Sequence, residues 1–268
     1  MRGRHHATKF AQVRFTRYVA IGDSSTEGLE DPGIGGRHRG WADRLALHVA
    51  QAQGAPLLYA NLAVRGRKTR QVRALQLAPA LAMRPDLASV FAGTNDIIRS
   101  QYDEAEVIAD LRSMHVAFRE IGATVVTITM PDLSAIAPFA ERARPRLLAF
   151  NAAVRALCAD TGSLLLDVAQ FSVASDSRLW HEDRLHANAE GHRRIAAGLA
   201  SVLGLPGFDA RWADPLPPLA PPSAWERARR EAHWLAAYLL PWLVRRLTGR
   251  SSGDGVTAKR PQLQPIGP

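Results

Sequence analysis

Arg17-Tyr18-Val19-Ala20-Ile21-Gly22-Asp23-Ser24-Ser25 is the stretch on which the fold turns. Its uncharged run from Tyr18 to Ile21 breaks at a glycine, the signature of a short strand buried on both faces that ends in a tight turn. The same pattern recurs outward along the chain. Strand candidates lie at 17–22, 57–62, 87–92, 123–129 and 163–167. Helix-like stretches at 41–53, 70–82, 104–121, 145–161 and 189–203 alternate with them. Short runs rich in Val, Ile and Leu between amphipathic segments predict an α/β domain, a mostly parallel sheet with helices on both faces. In such sheets ligands sit beyond the carboxyl ends of the strands.

Four segments fall where those ligand-facing loops should be. They are Gly22-Asp23-Ser24-Ser25 after the first strand, Gly66 after the second, Gly93-Thr94-Asn95-Asp96 after the third, and Asp183-Arg184-Leu185-His186 before the last core helix, for which Asn188 is a candidate N-cap. A serine hydroxyl becomes nucleophilic only when a base takes its proton. His186 is the candidate base, since imidazole titrates near neutral pH. Asp183, three residues earlier, can hold the ring in one tautomer and stabilise the imidazolium. The N–H groups of Ser24 and Gly66 and the side-chain amide of Asn95 are candidate donors to a developing oxyanion.

These four blocks, in this order, resemble the SGNH hydrolase superfamily, the GDSL-type esterases and lipases. Ser24 matches the nucleophile of the first block, Gly66 the second, Gly93-x-Asn95-Asp96 the third and Asp183-x-x-His186 the last. The resemblance spans about residues 15–205 and is closest in character to bacterial single-domain, lysophospholipase-like members. It implies a flavodoxin-like three-layer α/β/α sandwich with about five parallel strands. It also implies ester hydrolysis through an acyl-enzyme, with no metal and no organic cofactor. Where family members often carry Leu after the nucleophile, this chain has Ser25, which bears on pocket shape rather than chemistry.

Each segment also has a plainer reading. Gly-Asp-Ser suits a turn, Gly66 an ordinary loop break, Asn95 a helix cap and His186 a surface position. Asp23 reads as a brace for the turn, and His192 as a structural histidine bonded to backbone near the site. His181-Glu182 does not begin a His-Glu-x-x-His zinc motif, because residue 185 is Leu. Gly33, Gly35 and Gly36 belong to a loop at 28–40 rather than to a dinucleotide fingerprint. Arg65, Arg67, Lys68, Arg70 and Arg73 form a basic run beside Gly66. Either it is a solvated face, or Arg67 and Lys68 bind an anionic group on the substrate.

The chain has 268 residues, 34 Lys and Arg against 25 Asp and Glu, and 47% apolar residues, enough for a sizeable core. The basic excess sits at the ends. Residues 1–17 hold five basic and no acidic residues, 223–268 hold eight and three, and the body between holds 21 and 22. A nucleic-acid partner is therefore not expected of the body. No uncharged apolar run reaches the roughly 18 residues of a membrane span, and residues 1–16 read as a basic leader without a signal-peptide core. The single Cys158 excludes an internal disulfide and fits a reducing, cytoplasmic setting. The hydrolase domain is expected over 17–205, with a proline-rich connector over 206–223 and an aperiodic, disordered tail over 249–268. Between them, 224–248 reads as a basic amphipathic helix, kinked at Pro241, with Trp225, Ala228, Ala232, Leu235, Leu239, Trp242 and Leu243 on one face. It has two readings: a helix packed on the body or on a second copy, or one whose residues 225–247 touch an anionic membrane.

The expected reaction is hydrolysis of a small or lipid-like carboxylic ester. A carbohydrate O-deacetylase or a thioesterase would use the same groups. A lipid-binding protein without activity is the alternative of another class.

Overall fold

The computed structural model describes residues 14–249 and 251–268, so all but residues 14–16 of the expected leader lies outside the described residues. Among the described residues six strands form one sheet: β1 (Arg17–Gly22), β2 (Leu57–Asn61), β3 (Leu87–Phe91), β4 (Thr124–Ile128), β5 (Leu164–Leu166) and β6 (Arg260–Ile266), in the order β5-β4-β3-β1-β2-β6. The first five run parallel, as the apolar runs predict, and β6 is antiparallel to β2.

Helices α1 (Ser24–Glu27) and α2 (Gly40–Gln53) follow β1, and α3 (Thr69–Val72) and α4 (Ala78–Ala82) follow β2, joined by a π-helical turn. Next come α5 (Thr94–Ile97), α6 (Glu104–Glu120), α7 (Pro138–Thr161) and α8 (Ala189–Val202). Right-handed crossovers put α2 on one face of the sheet and α3–α4, α6 and α7 on the other, because the chain moves one way from β1 to β2 and the opposite way from β2 through β3 to β5. α8 returns to pack on α2, and α6 packs against α7. Asn188 caps α8, accepting the N–H groups of Glu190 and Gly191 at 3.0 Å. α7 starts at Pro138 rather than 145, since Pro138 takes the first-turn position and the helix continues through Pro145.

The direction of winding reverses between β1 and β3, the point at which open α/β sheets leave a crevice for ligand. The loops at the carboxyl ends of those two strands carry Ser24 and Asn95.

Two expectations need correction. The segment 249–268 is not a featureless tail, since Arg260–Ile266 forms β6 on the free edge of β2. An uncovered parallel edge offers a row of unpaired N–H and C=O groups that templates an added strand. Pro261 and Pro265 hid the strand from a pattern reading, yet proline is tolerated on an edge strand. Lys259 fixes its start, donating to the carbonyls of His38 and Arg39 and pairing with Asp43 at 2.8 Å.

The helical stretch after the connector holds α9 (Ala224–Trp234) and α10 (Leu240–Leu247), separated by a π-helical turn at Leu235–Leu239. Pro241 lacks the N–H an α-helix would need there, which a wider turn accommodates. The widened turn shifts the phase, so the expected apolar face is split: Leu239 and Trp242 turn toward the body, while Leu235 and Leu243 are exposed. Trp225, at 76% exposure, points to solvent, and Trp234, at 5%, is buried instead.

Candidate active site

Gly22 closes β1 so tightly that a Cβ there would collide with the Phe91 carbonyl of β3 and with Thr26. The chain turns straight into α1, with Asp23 as its cap accepting the Ser25 N–H at 3.1 Å. Ser24 is thus the first residue of a helix, where N–H groups have no acceptor within the helix itself. Burial raises the Asp23 carboxyl to about 7.

The loop before α8 brings His186 to Ser24 across 162 residues of sequence, with Nε2 2.8 Å from Ser24 Oγ. On the other side of the ring, Nδ1 lies 2.6 Å from Asp183 Oδ2. Asp183 Oδ1 accepts the N–H groups of Leu185 and His186 at 3.0 Å each, so both carboxylate oxygens are engaged. Burial opposes the charge on His186, but the hydrogen bond and charge of Asp183 outweigh it and raise the imidazole pKa. Burial likewise opposes the charge on Asp183, and the bonds from His186 and the backbone win, lowering that carboxyl to about 2. The ring is therefore held with Nδ1 donating to the carboxylate and Nε2 free to accept the serine proton.

Gly66 and Asn95 line the same cavity as Ser24 and His186. Gly66 has φ 74°, and a Cβ there would strike the hydroxyl of Ser251, so the residues after α10 pack on this loop. The Asn95 amide donates to the Arg67 carbonyl at 3.1 Å and reaches Asp23 Oδ2 at 3.4 Å. The side chains of Arg67 and Lys68 are half-buried and do not line the cavities around Ser24. It is the Arg67 carbonyl that enters the site.

Two supporting contacts escaped the sequence reading. Buried Glu27 accepts the Arg65 N–H at 2.7 Å and pairs with its guanidinium, tying the loop of Gly66 to α1. Asp96 accepts both the N–H and the hydroxyl of Thr69 at 2.9 Å, tying that same loop to α5. His192 is structural, as expected: Nε2 donates to the Leu29 carbonyl at 2.9 Å, Nδ1 accepts from Trp41, and burial lowers its pKa to about 4. Among the described residues, Glu30, His181 and Asp183 bring possible metal-donor atoms within 4.8 Å of one another. His181 there accepts the Asp183 N–H at 3.3 Å and faces Glu30 at 3.2 Å, so these groups already satisfy one another.

Two cavities flank the Ser24–His186 pair. One, of about 110 Å³, is walled by apolar side chains including Ile97, Met130, Leu133 and Leu147. The other, of about 330 Å³, is roofed by Trp234, Tyr238, Leu239 and Trp242 of the C-terminal helix, with Glu30 and Arg245 at its margin. Trp234 Nε1 donates to the Asp183 carbonyl at 3.2 Å. Arg184, in the left-handed region at φ 60°, stacks 4.4 Å from the Trp234 ring and makes a two-pronged pair with Glu231. The roof is thus fastened to the loop that carries Asp183 and His186.

Residues 20–194 match the family described as GDSL-like Lipase/Acylhydrolase. Among solved structures, the crystal structure of TesA superposes with a TM-score of 0.58 at 21% identity, covering 70% of this chain and 98% of that one. Axe2, an acetylxylan esterase from Geobacillus stearothermophilus, gives 0.58 at 19% identity, covering 74% and 96%. LAE5, an alpha/beta hydrolase from the metagenome of Lake Arreo, Spain, gives 0.59 at 20%, covering 71% and 95%. At these identities the likeness is one of fold. No curated protein matches the chain.

Proposed function

Because the chain belongs to the GDSL-like lipase/acylhydrolase family, and so is a carboxylic ester hydrolase, we propose that Ser24 is its nucleophile, His186 its base and Asp183 the carboxylate that orients the base. Ser24 Oγ attacks the ester carbonyl as its proton passes to His186 Nε2. The N–H groups of Ser24 and Gly66 and the Asn95 amide receive the oxyanion, Asn95 giving up its long contact with Asp23 to do so. His186 protonates the departing alcohol, then takes a proton from the water that releases the acid. The observation that carries this reading is the unbroken line from Asp183 Oδ2 to Ser24 Oγ, two hydrogen bonds of 2.6 and 2.8 Å.

The apolar cavity beside Ser24 suits an acyl chain, and the aromatic-roofed cavity suits the alcohol side of a small or lipid-like ester. The single Cys158 suits this reaction to a reducing, cytoplasmic setting. A panel of p-nitrophenyl esters of rising acyl length, run beside Ser24→Ala, tests it. Turnover should vanish in the variant and peak at a defined length. Equal turnover in both proteins would remove Ser24 from the mechanism. A second reading, a carbohydrate O-deacetylase, draws on Trp234, Tyr238 and Trp242, since aromatic rings present flat apolar faces to a sugar. Faster release of acetate from acetylated xylo-oligosaccharides than from any p-nitrophenyl ester would favour it.

A further inference from the structure

The helix that roofs the wider cavity has a second apolar face, and that face points outward. On α10, Leu240, Leu243, Val244 and Leu247 are 55, 38, 59 and 86% exposed. Their spacing of three, four and seven residues puts them on one stripe, opposite the side that carries Trp234, Tyr238 and Trp242. A contiguous exposed apolar stripe on a small protein marks a surface for another molecule. The charges along this helix say which kind. Arg227, Arg229, Arg230 and Arg245 are exposed, the last three not on the leucine stripe itself but on the sides of the helix nearer the body, Arg229 and Arg230 beside Arg178 and Arg184 and Arg245 at the margin of the roofed cavity. The two acids of the helix are held elsewhere, Glu226 in the cap at Ser223 and Glu231 by Arg184 of the body. No helix among the described residues is long and apolar enough to cross a membrane. The segment also lies outside the residues that match the family.

We propose that the outer face of α10 docks on an anionic lipid surface, lying in its plane with the leucines in the acyl boundary and the arginines at the phosphate level. A second copy of the chain fits less well, because a symmetric pairing of this face would set the same cations against each other. Docking in this way holds the cavity roof one helix diameter, about 10 Å, from the lipid. An ester drawn from the surface then has a short path to Ser24.

The test is co-sedimentation of the full chain with vesicles of phosphatidylglycerol and phosphatidylcholine in equal parts, and with vesicles of phosphatidylcholine alone. The wild type should bind the anionic vesicles far better, and salt of about 0.5 M should weaken that binding. Leu240→Glu/Leu247→Glu, two outward positions that do not line the cavity, should cut the partition about tenfold or more. The same substitutions should leave turnover of p-nitrophenyl acetate and the circular dichroism spectrum unchanged. Arg229→Glu/Arg230→Glu should weaken binding to the anionic vesicles alone. Ser24→Ala should bind as the wild type does, which separates this proposal from the catalytic one. Absence of wild-type binding would overturn it. So would equal binding by the Leu240→Glu/Leu247→Glu variant, or a wild-type dimer that this variant converts to monomer without any vesicle binding.

Discussion

The body of the protein and its C-terminal strap, α9 and α10 with the Ser251–Gly253 turn that follows, meet at the same cavity but are built by different rules. In the body, each loop that reaches the site is tied to a neighbour by buried polar contacts: Glu27 to Arg65, Asp96 to Thr69, His192 to Leu29. The strap touches the site through a few points, the Trp234 bond to the Asp183 carbonyl, the Arg184–Glu231 pair and the packing of Ser251 on Gly66. Chemistry is thus mounted on the rigid part and access on the lightly fastened part, the usual division between a scaffold and a cover.

The largest expected effect falls on the body. Ser24→Ala should lower kcat by about 10⁴-fold or more while the melting temperature stays put, measured by stopped assays and calorimetry. Next, Asp183→Asn should cost on the order of 10²- to 10⁴-fold and move the pH profile. His186 must be neutral to act as a base, and Asp183 raises its pKa, so the acid limb of kcat/KM should lie above the ordinary imidazole value of 6.5. Loss of the carboxylate should shift that limb downward. The same pair bears on folding. Because the Asp183 carboxyl is lowered from 3.8 to about 2, its stabilising contribution is present above pH 3.8 and lost as pH falls through 2, which acid titration of the melting temperature will read.

A smaller effect would follow from Glu27→Gln, which strands a guanidinium against a buried amide and should destabilise the fold by about 3 kcal/mol in urea melts. The smallest global effect is expected in the strap. Trp234→Ala should leave body protection in hydrogen exchange nearly unchanged, while 224–247 exchanges faster and KM for long esters rises more than kcat falls. If the body loosened as much as the strap, the division drawn above would be wrong.

How much of this could be read from the sequence follows the same division. The body was legible because its strands are buried on both faces and its loops need particular residues at particular points, so Ser24, Gly66, Asn95 and His186 stand out against periodic surroundings. The supporting contacts, Glu27 to Arg65 and Asp96 to Thr69, were not legible, since an acidic residue in or beside a motif carries no local sign of the partner it will meet across the fold. The phase of the C-terminal helix was misread because the π-helical turn at Leu235–Leu239 breaks the 3.6-residue repeat. β6 was missed because its conformation is imposed by the open edge of β2 rather than by its own alternation. The proposed roles of Arg67 and Lys68 rested on proximity in sequence to Gly66, and their side chains stand outside both cavities.

The pairing of Leu57 with Ile266 has a consequence for biosynthesis. A ribosome delivers β2 early and its antiparallel neighbour only after β3, β4 and β5. The nascent body can therefore acquire its reactive serine and imidazole before the cover exists. Until residues 224–266 have emerged, the site would be open to substrate and to water alike, so selectivity would follow reactivity.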